Sequence, residues 1–190
     1  MFVSNVNDTP ALPLLISLED NLRLHDTGAE VFAPFVIERF RAGEGAIFVE
    51  LSVILTDEQG QERDQIVHLT WQAHSVATKP FAVQERVMTE WGALGVACAL
   101  IPSLLGKRVL SVAVEGERFD YRIGNEAGEL GLEVSGALSE SRDDLRERHR
   151  LKIRQLRENP ARLSGHVIVV GFTLREVLIS FHLPYPEEVL

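Results

Sequence analysis

One cysteine, Cys98, stands alone among 190 residues, which excludes an internal disulfide and any multi-cysteine zinc site and suits a reducing compartment. It lies within the apolar stretch Val96-Ala97-Cys98-Ala99-Leu100, where a packed thiol is expected rather than a nucleophile. Cations are scarce too, 19 Lys and Arg against 28 Asp and Glu, and a net charge of −9 argues against sequence-blind attraction to nucleic acid. Residues 1–8 lack the basic head and apolar run of a signal peptide, so a cytoplasmic protein is expected. The longest nearly apolar stretch, 92–106, is shorter than a bilayer span and holds Pro102, so no membrane partner is expected. Glycine-rich phosphate loops, Gly-x-Ser-x-Gly elbows and paired-histidine zinc motifs are all missing, leaving nucleotide-dependent, triad-hydrolase and zinc-enzyme readings without local support.

What is present is the composition of an ordinary globular protein, 45% hydrophobic and 25% charged, long enough for one domain with an extension. Charge is uneven: residues 140–162 carry eight Lys or Arg and five acids, a local sum of +3, against −12 for the remainder. Such a ridge could meet phosphate, face an acidic partner, or be a solvated helix face.

Periodicity supplies the elements. Residues 1–45 hold proline-broken apolar clusters at 12–16 and 31–37, which read as edge strands or short irregular pieces. Alternation over 47–55 and again over 67–73, around the turn Asp57-Glu58-Gln59-Gly60-Gln61, predicts a β-hairpin spanning 47–74 with one wet face. His68 and His74 share that face about 20 Å apart, too far for a common metal. Val87, Trp91, Leu94, Cys98 and Ile101 at helical spacing predict a helix over 82–101, with Glu90 at the edge of its stripe. Three short strands follow at 109–115, 118–124 and 130–135, then a polar helix over 139–158 with a serine cap, a doubly buried strand at 166–170 and a last strand at 177–182.

Two acids interrupt these apolar strands, Asp120 in Phe119-Asp120-Tyr121 and Glu133 in Leu132-Glu133-Val134-Ser135. A buried carboxylate is costly unless paired, hydrogen-bonded or bound to metal, so two in neighbouring strands invite a site, although both could instead face solvent. Gly136, next along, is expected to turn the chain out of the strand.

The order helix, three strands, helix, buried strand over 82–171 resembles the αβββαβ core of the restriction-endonuclease-like, PD-(D/E)xK, phosphodiesterases. The resemblance covers the last two thirds of the chain. It implies an α/β (α+β) fold with a nuclease-like core at 79–190 and an N-terminal β-rich extension at 1–78, compact as one domain overall. The string Leu132 to Gly136 is also similar to that of a little-described group of bacterial proteins with Leu-Glu-Val-Ser-Gly. The resemblance implies Mg²⁺ held by Asp120 and Glu133, with Glu90 as a third ligand, and nucleic acid as the substrate. The signature lysine is replaced by Ser135, whose neutral hydroxyl cannot stabilise developing charge. A cation must then reach in from elsewhere, and Lys152 on the following helix, with Gln155 three residues on and hence on the same side, is placed to supply it. The alternative is an inactive module that kept the fold for protein contacts or homo-oligomer formation, with the hairpin as its partner surface.

Overall fold

The computed structural model describes residues 12–40, 46–73, 83–138 and 141–186. The chain is mixed α/β, with eight strands in one sheet and four helices among the described residues. In chain order these are β1 (Leu14–Ser17), α1 (Leu18–Leu22), α2 (Ala33–Phe40), β2 (Phe48–Thr56), β3 (Glu62–Thr70), α3 (Glu85–Leu105), β4 (Arg108–Val112), β5 (Tyr121–Asn125), β6 (Gly128–Ala137), α4 (Arg142–Arg157), β7 (Gly165–Gly171) and β8 (Glu176–His182). The sheet order is β1-β3-β2-β8-β7-β6-β5-β4. The strands β4 to β8 therefore lie side by side in chain order, and β6 and β7 are parallel, joined by the α4 crossover.

The expected hairpin forms as β2 and β3, but it is no separate layer, because β2 pairs in parallel with β8 and extends the same sheet. One apolar core runs from Leu18, Val36 and Val49 to Ile123 and Ile168 beneath α3. A second, smaller core beneath α4 gathers Phe119, Leu145, Leu156, Val167 and Val169. β7 is buried at all seven positions because α3 covers one face and α4 the other, as its unbroken apolar run predicts. His68 stays on the wet face of the hairpin, bonded to Glu50 at 3.0 Å; His74 lies outside the described residues.

Residues 31–37 correct the sequence reading, for they are helical rather than strand-like. A 3₁₀ turn over Ala29–Phe32 leads into α2, and Pro34 sits in the first turn of that helix, where its missing N–H costs nothing. α2 presses its buried Val36 onto α3 at Gly95, where an added Cβ would lie 2.5 Å from Val36 Cγ2.

α3 also runs further than expected, through Pro102 to an αL cap at Gly106. Its 21 residues are long and apolar enough to cross a membrane by length and composition, yet residues 92–101 are all buried within the core. Pro102 has no N–H for the Cys98 carbonyl one turn back, and a side chain from elsewhere in the fold takes that place. His25 Nε2 donates to Cys98 O at 2.8 Å, while His25 Nδ1 accepts from Val109 N at 2.8 Å. This fixes the neutral Nε2–H tautomer and ties the loop after α1 to α3 and β4; burial lowers the pKa of this ring. Cys98 is a packed thiol, pushed up to about 12 by burial.

Candidate functional site

β5 begins three residues later than the sequence suggests, at Tyr121. Asp120 lies at the end of a bend that follows the left-handed Arg118 (φ 61°), outside the strand proper. Its main chain still reaches both neighbours, Asp120 N donating to Leu132 O at 2.9 Å and Asp120 O accepting from Ala113 N at 3.0 Å. The β5 pairing of β6 stops at Leu132, so the Val134 N–H has lost its strand partner, and Asp120 Oδ2 accepts it at 2.8 Å. The carboxylate thus caps the open edge of β6 just beyond Glu133.

Glu133 points the other way from Leu132 and Val134, onto the α4 face, in register with Val167 of β7. Its side chain is 0% exposed and forms an ion pair with Lys152, Lys152 Nζ donating to Glu133 Oε1. Glu133 Oε2 is buried with no hydrogen-bond partner among the described residues. Lys152 Nζ also donates to Gln155 Oε1 at 3.1 Å, and Gln155 Nε2 to Arg118 O at 3.4 Å. The Lys152 side chain remains 27% exposed.

Burial raises the Glu133 carboxyl to about 7, with the Asp120 charge adding to the rise and Lys152 and Gln155 opposing it. Asp120 is raised as well, by burial first; the Val134 N–H and Lys152 pull it back, and the charge of Glu90 pushes it up. Asp120 therefore senses charge from both helical layers.

Ser135 follows Glu133 on the same face and is buried, and Arg148 Nη1 donates to its Oγ at 3.4 Å. Four residues rise about 6 Å along a helix and two about 6.6 Å along a strand, so Lys152 and Arg148 of an antiparallel α4 sit in step above Glu133 and Ser135. A cleft of about 400 Å³ opens beside them, lined by Asp144, Glu147, Arg148, Leu151 and Lys152. The ordered start of α4 holds this register, with Ser141 and Asp144 forming a reciprocal capping box.

Four of the sequence candidates thus converge, Asp120, Glu133, Lys152 and Gln155, with Ser135 alongside. Glu90 does not join them as a third ligand. It is bound one turn back along α3 by Arg86 at 2.8 Å, is half exposed, and acts on Asp120 only through its charge. Among the described residues no group of three or more His, Cys, Asp or Glu could hold a metal ion. Gly136 corrects a second expectation, since β6 continues through it to Ala137. Its lack of a side chain lets α3 cross β6 closely, and an added Cβ would lie 2.7 Å from Thr89 O.

Among the described residues half of the basic ridge is in internal ion pairs: Arg142 with Glu176, Arg150 with Glu147, Lys152 with Glu133, and Arg154 with Glu158, which Arg118 also meets. A cluster that sequence reading missed lies in the same row of the sheet: Ser180 of β8 is in register with Val167, which is in register with Glu133. His149 Nε2 of α4 and His182 Nε2 both hydrogen-bond Ser180 Oγ, at 2.8 and 2.7 Å. Burial lowers both rings to about 4, and Ser180 is 1% exposed, so no substrate reaches its hydroxyl. No periodicity could have foretold this group, whose members come from α4 and β8.

Comparison of the chain with protein-family models, curated proteins and solved structures gives no match to any of them.

Proposed function

We propose that this chain is a restriction-endonuclease-like protein that hydrolyses phosphodiester bonds in nucleic acid with Mg²⁺, using Lys152 where the signature lysine is replaced by Ser135. One observation carries the reading: a fully buried glutamate in contact with a partly exposed lysine from the crossover helix, beside a second carboxylate raised by burial. The order α3, β4, β5, β6, α4, β7 supports it, as do the positions of Asp120 immediately before the second of these strands and Glu133 on the third.

The donor set fits a hard divalent cation. Mg²⁺ takes carboxylate oxygens and keeps several waters, so two carboxylates and a phosphate complete its shell. Glu133 Oε2 is buried and unpartnered, and the Asp120 charge adds to the cost of ionising Glu133, which a cation between them would relieve. When bound by Asp120 and Glu133, Mg²⁺ supplies charge neutralisation at phosphate and an acidified water. The chain's own residues do the rest. Lys152 holds Glu133 oriented and offers its remaining N–H to an anionic oxygen; Gln155 fixes Lys152 by accepting from Nζ; Arg148 places a second cation one helical turn away.

The second reading, an inactive interaction module, is favoured by the closed Lys152–Glu133 pair and the internal pairing of the α4 cations. Calorimetric titration of Mg²⁺ and Mn²⁺ into wild type and the Asp120→Asn, Glu133→Gln double variant separates the two, followed by cleavage assays on DNA and RNA. Nuclease function requires binding that the variant abolishes and cleavage that Lys152→Met abolishes. Cleavage retained by Glu133→Ala, or none by wild type on either polymer, would refute it.

A further inference from the structure

Few apolar contacts hold α4 on the sheet. It buries only Leu145 and Leu156 outright, whereas α3 buries every residue from 92 to 101. An element with so little buried apolar surface lies at the low end of local stability. Polar links make up the difference, in order along the helix: Arg142 to Glu176, Arg148 to Ser135, His149 to Ser180 and Lys152 to Glu133. Of these, the His149 link alone ends on a hydroxyl that a second imidazole shares, since His182 Nε2 meets the same Ser180 Oγ.

Ser180 Oγ has one proton to give. With both rings neutral it donates to one Nε2 and accepts an N–H from the other, so the contacts at 2.8 and 2.7 Å are both hydrogen bonds. A proton on one ring places a cation in a half-buried site. A proton on each leaves two N–H groups aimed at one oxygen, the hydroxyl hydrogen without an acceptor, and two like charges within two hydrogen-bond lengths. The surroundings offer little counter-charge. Arg146 and Arg150 of α4 line the cleft of about 330 Å³ beside His149, and Glu62 of β3 faces them across it. His182 feels Arg157 of α4, and acts in turn on His166 of β7.

We infer that His149, Ser180 and His182 form an acid-released latch between α4 and β8: the neutral rings hold the helix down, and proton uptake lets it leave a sheet that stays folded. Release parts Lys152 from Glu133 and bares the smaller core of Phe119, Val167, Val169 and Leu178. In place, both rings resist protonation down to about 4; freed, they take it up at the ordinary 6.5. Release is therefore favoured as pH falls below 6.5, roughly tenfold or more per ring between pH 7 and pH 5. The latch rests on the fold alone and is independent of the nuclease reading.

Amide hydrogen exchange on the full chain at pH 7 and pH 5, corrected for the intrinsic rate, reads this as the protection of α4 relative to β7. Between the two pH values wild type should lose at least about tenfold more α4 protection than the His149→Gln, His182→Gln double variant, whose amides keep the bonds to Ser180 and cannot titrate. Glu133 titrates beneath the same helix in the opposite direction, but it is present in both proteins and drops out of the comparison. At pH 7, Ser180→Ala should exchange α4 several-fold faster with β7 unchanged. The single variant His182→Gln, at the last residue of β8, should show a smaller loss than wild type and keeps the test decisive should the double variant fail to fold. Parallel loss of protection in α4 and β7 on acidification, a loss in the glutamine variants equal to that of wild type, or unchanged α4 protection in Ser180→Ala would overturn the latch.

Discussion

Replacing Glu133 by glutamine should stabilise the protein, and only at neutral to alkaline pH. The carboxyl is fully buried and titrates at about 7 instead of 4.5. The folded state therefore keeps a proton that the unfolded state releases, and stability is lost as pH rises through that window, being complete below 4.5 and fully forfeited above 7. At 1.36 kcal/mol per pH unit the distance from 4.5 to about 7 is worth roughly 3 kcal/mol, the upper limit of the gain for a neutral isostere. Loss of the pair with Lys152 subtracts little, because the Lys152 side chain is 27% exposed and can turn to solvent. Urea unfolding at pH 8.5 should show Glu133→Gln with a higher midpoint, by up to about 1.5 M at a typical slope near 2 kcal/mol/M, and at pH 4.5 almost no difference. A variant less stable at pH 8.5, or one displaced equally at both pH values, would show that Glu133 is a structural partner of Lys152 and carries no stored cost of ionisation.

His25→Ala should destabilise by roughly 2–4 kcal/mol, because it orphans the Cys98 carbonyl and the Val109 N–H together. In a Pro102→Ala background, where residue 102 can donate to Cys98 O, chemical denaturation should show a clearly smaller loss; equal losses in both backgrounds would refute the pairing of His25 with the proline. His149, His166 and His182 all titrate at about 4 when folded, so the native state resists protonation, and their stability contribution is full above 6.5 and lost as pH falls toward 4. Glu133 works in the opposite direction across this range, so the net fall in melting temperature from pH 6.5 to 4.5 should steepen, relative to wild type, in Glu133→Gln and flatten in His182→Phe.

Much of the element order was legible because burial imposes periodicity. The alternation of β2 and β3, the apolar run of β7 and the serine-capped α4 were each readable within a few residues, since each depends on neighbours in the chain. Asp120 and Glu133 were visible for a related reason: acids within apolar runs break a local pattern. The helix at 33–40 was misread because Pro34 breaks a strand but suits a helix start, and only docking against Gly95 of α3 settles which state gains more. Gly136 was misread because its role is set by a helix lying across it, some 45 residues earlier in the chain.

The amino-acid sequence by itself determined most of the strands and helices, the acidic net charge and the placing of Asp120 and Glu133 within apolar runs, because these follow from side-chain chemistry and short-range spacing. The tertiary structure alone decided that the hairpin joins the sheet through β8, that Lys152 rather than residue 135 meets Glu133, that Glu90 stays with Arg86, and that His149 of α4 meets Ser180 of β8. Each of these joins residues far apart in the chain, and what brings them together is the burial of two apolar faces of one sheet beneath α3 and α4.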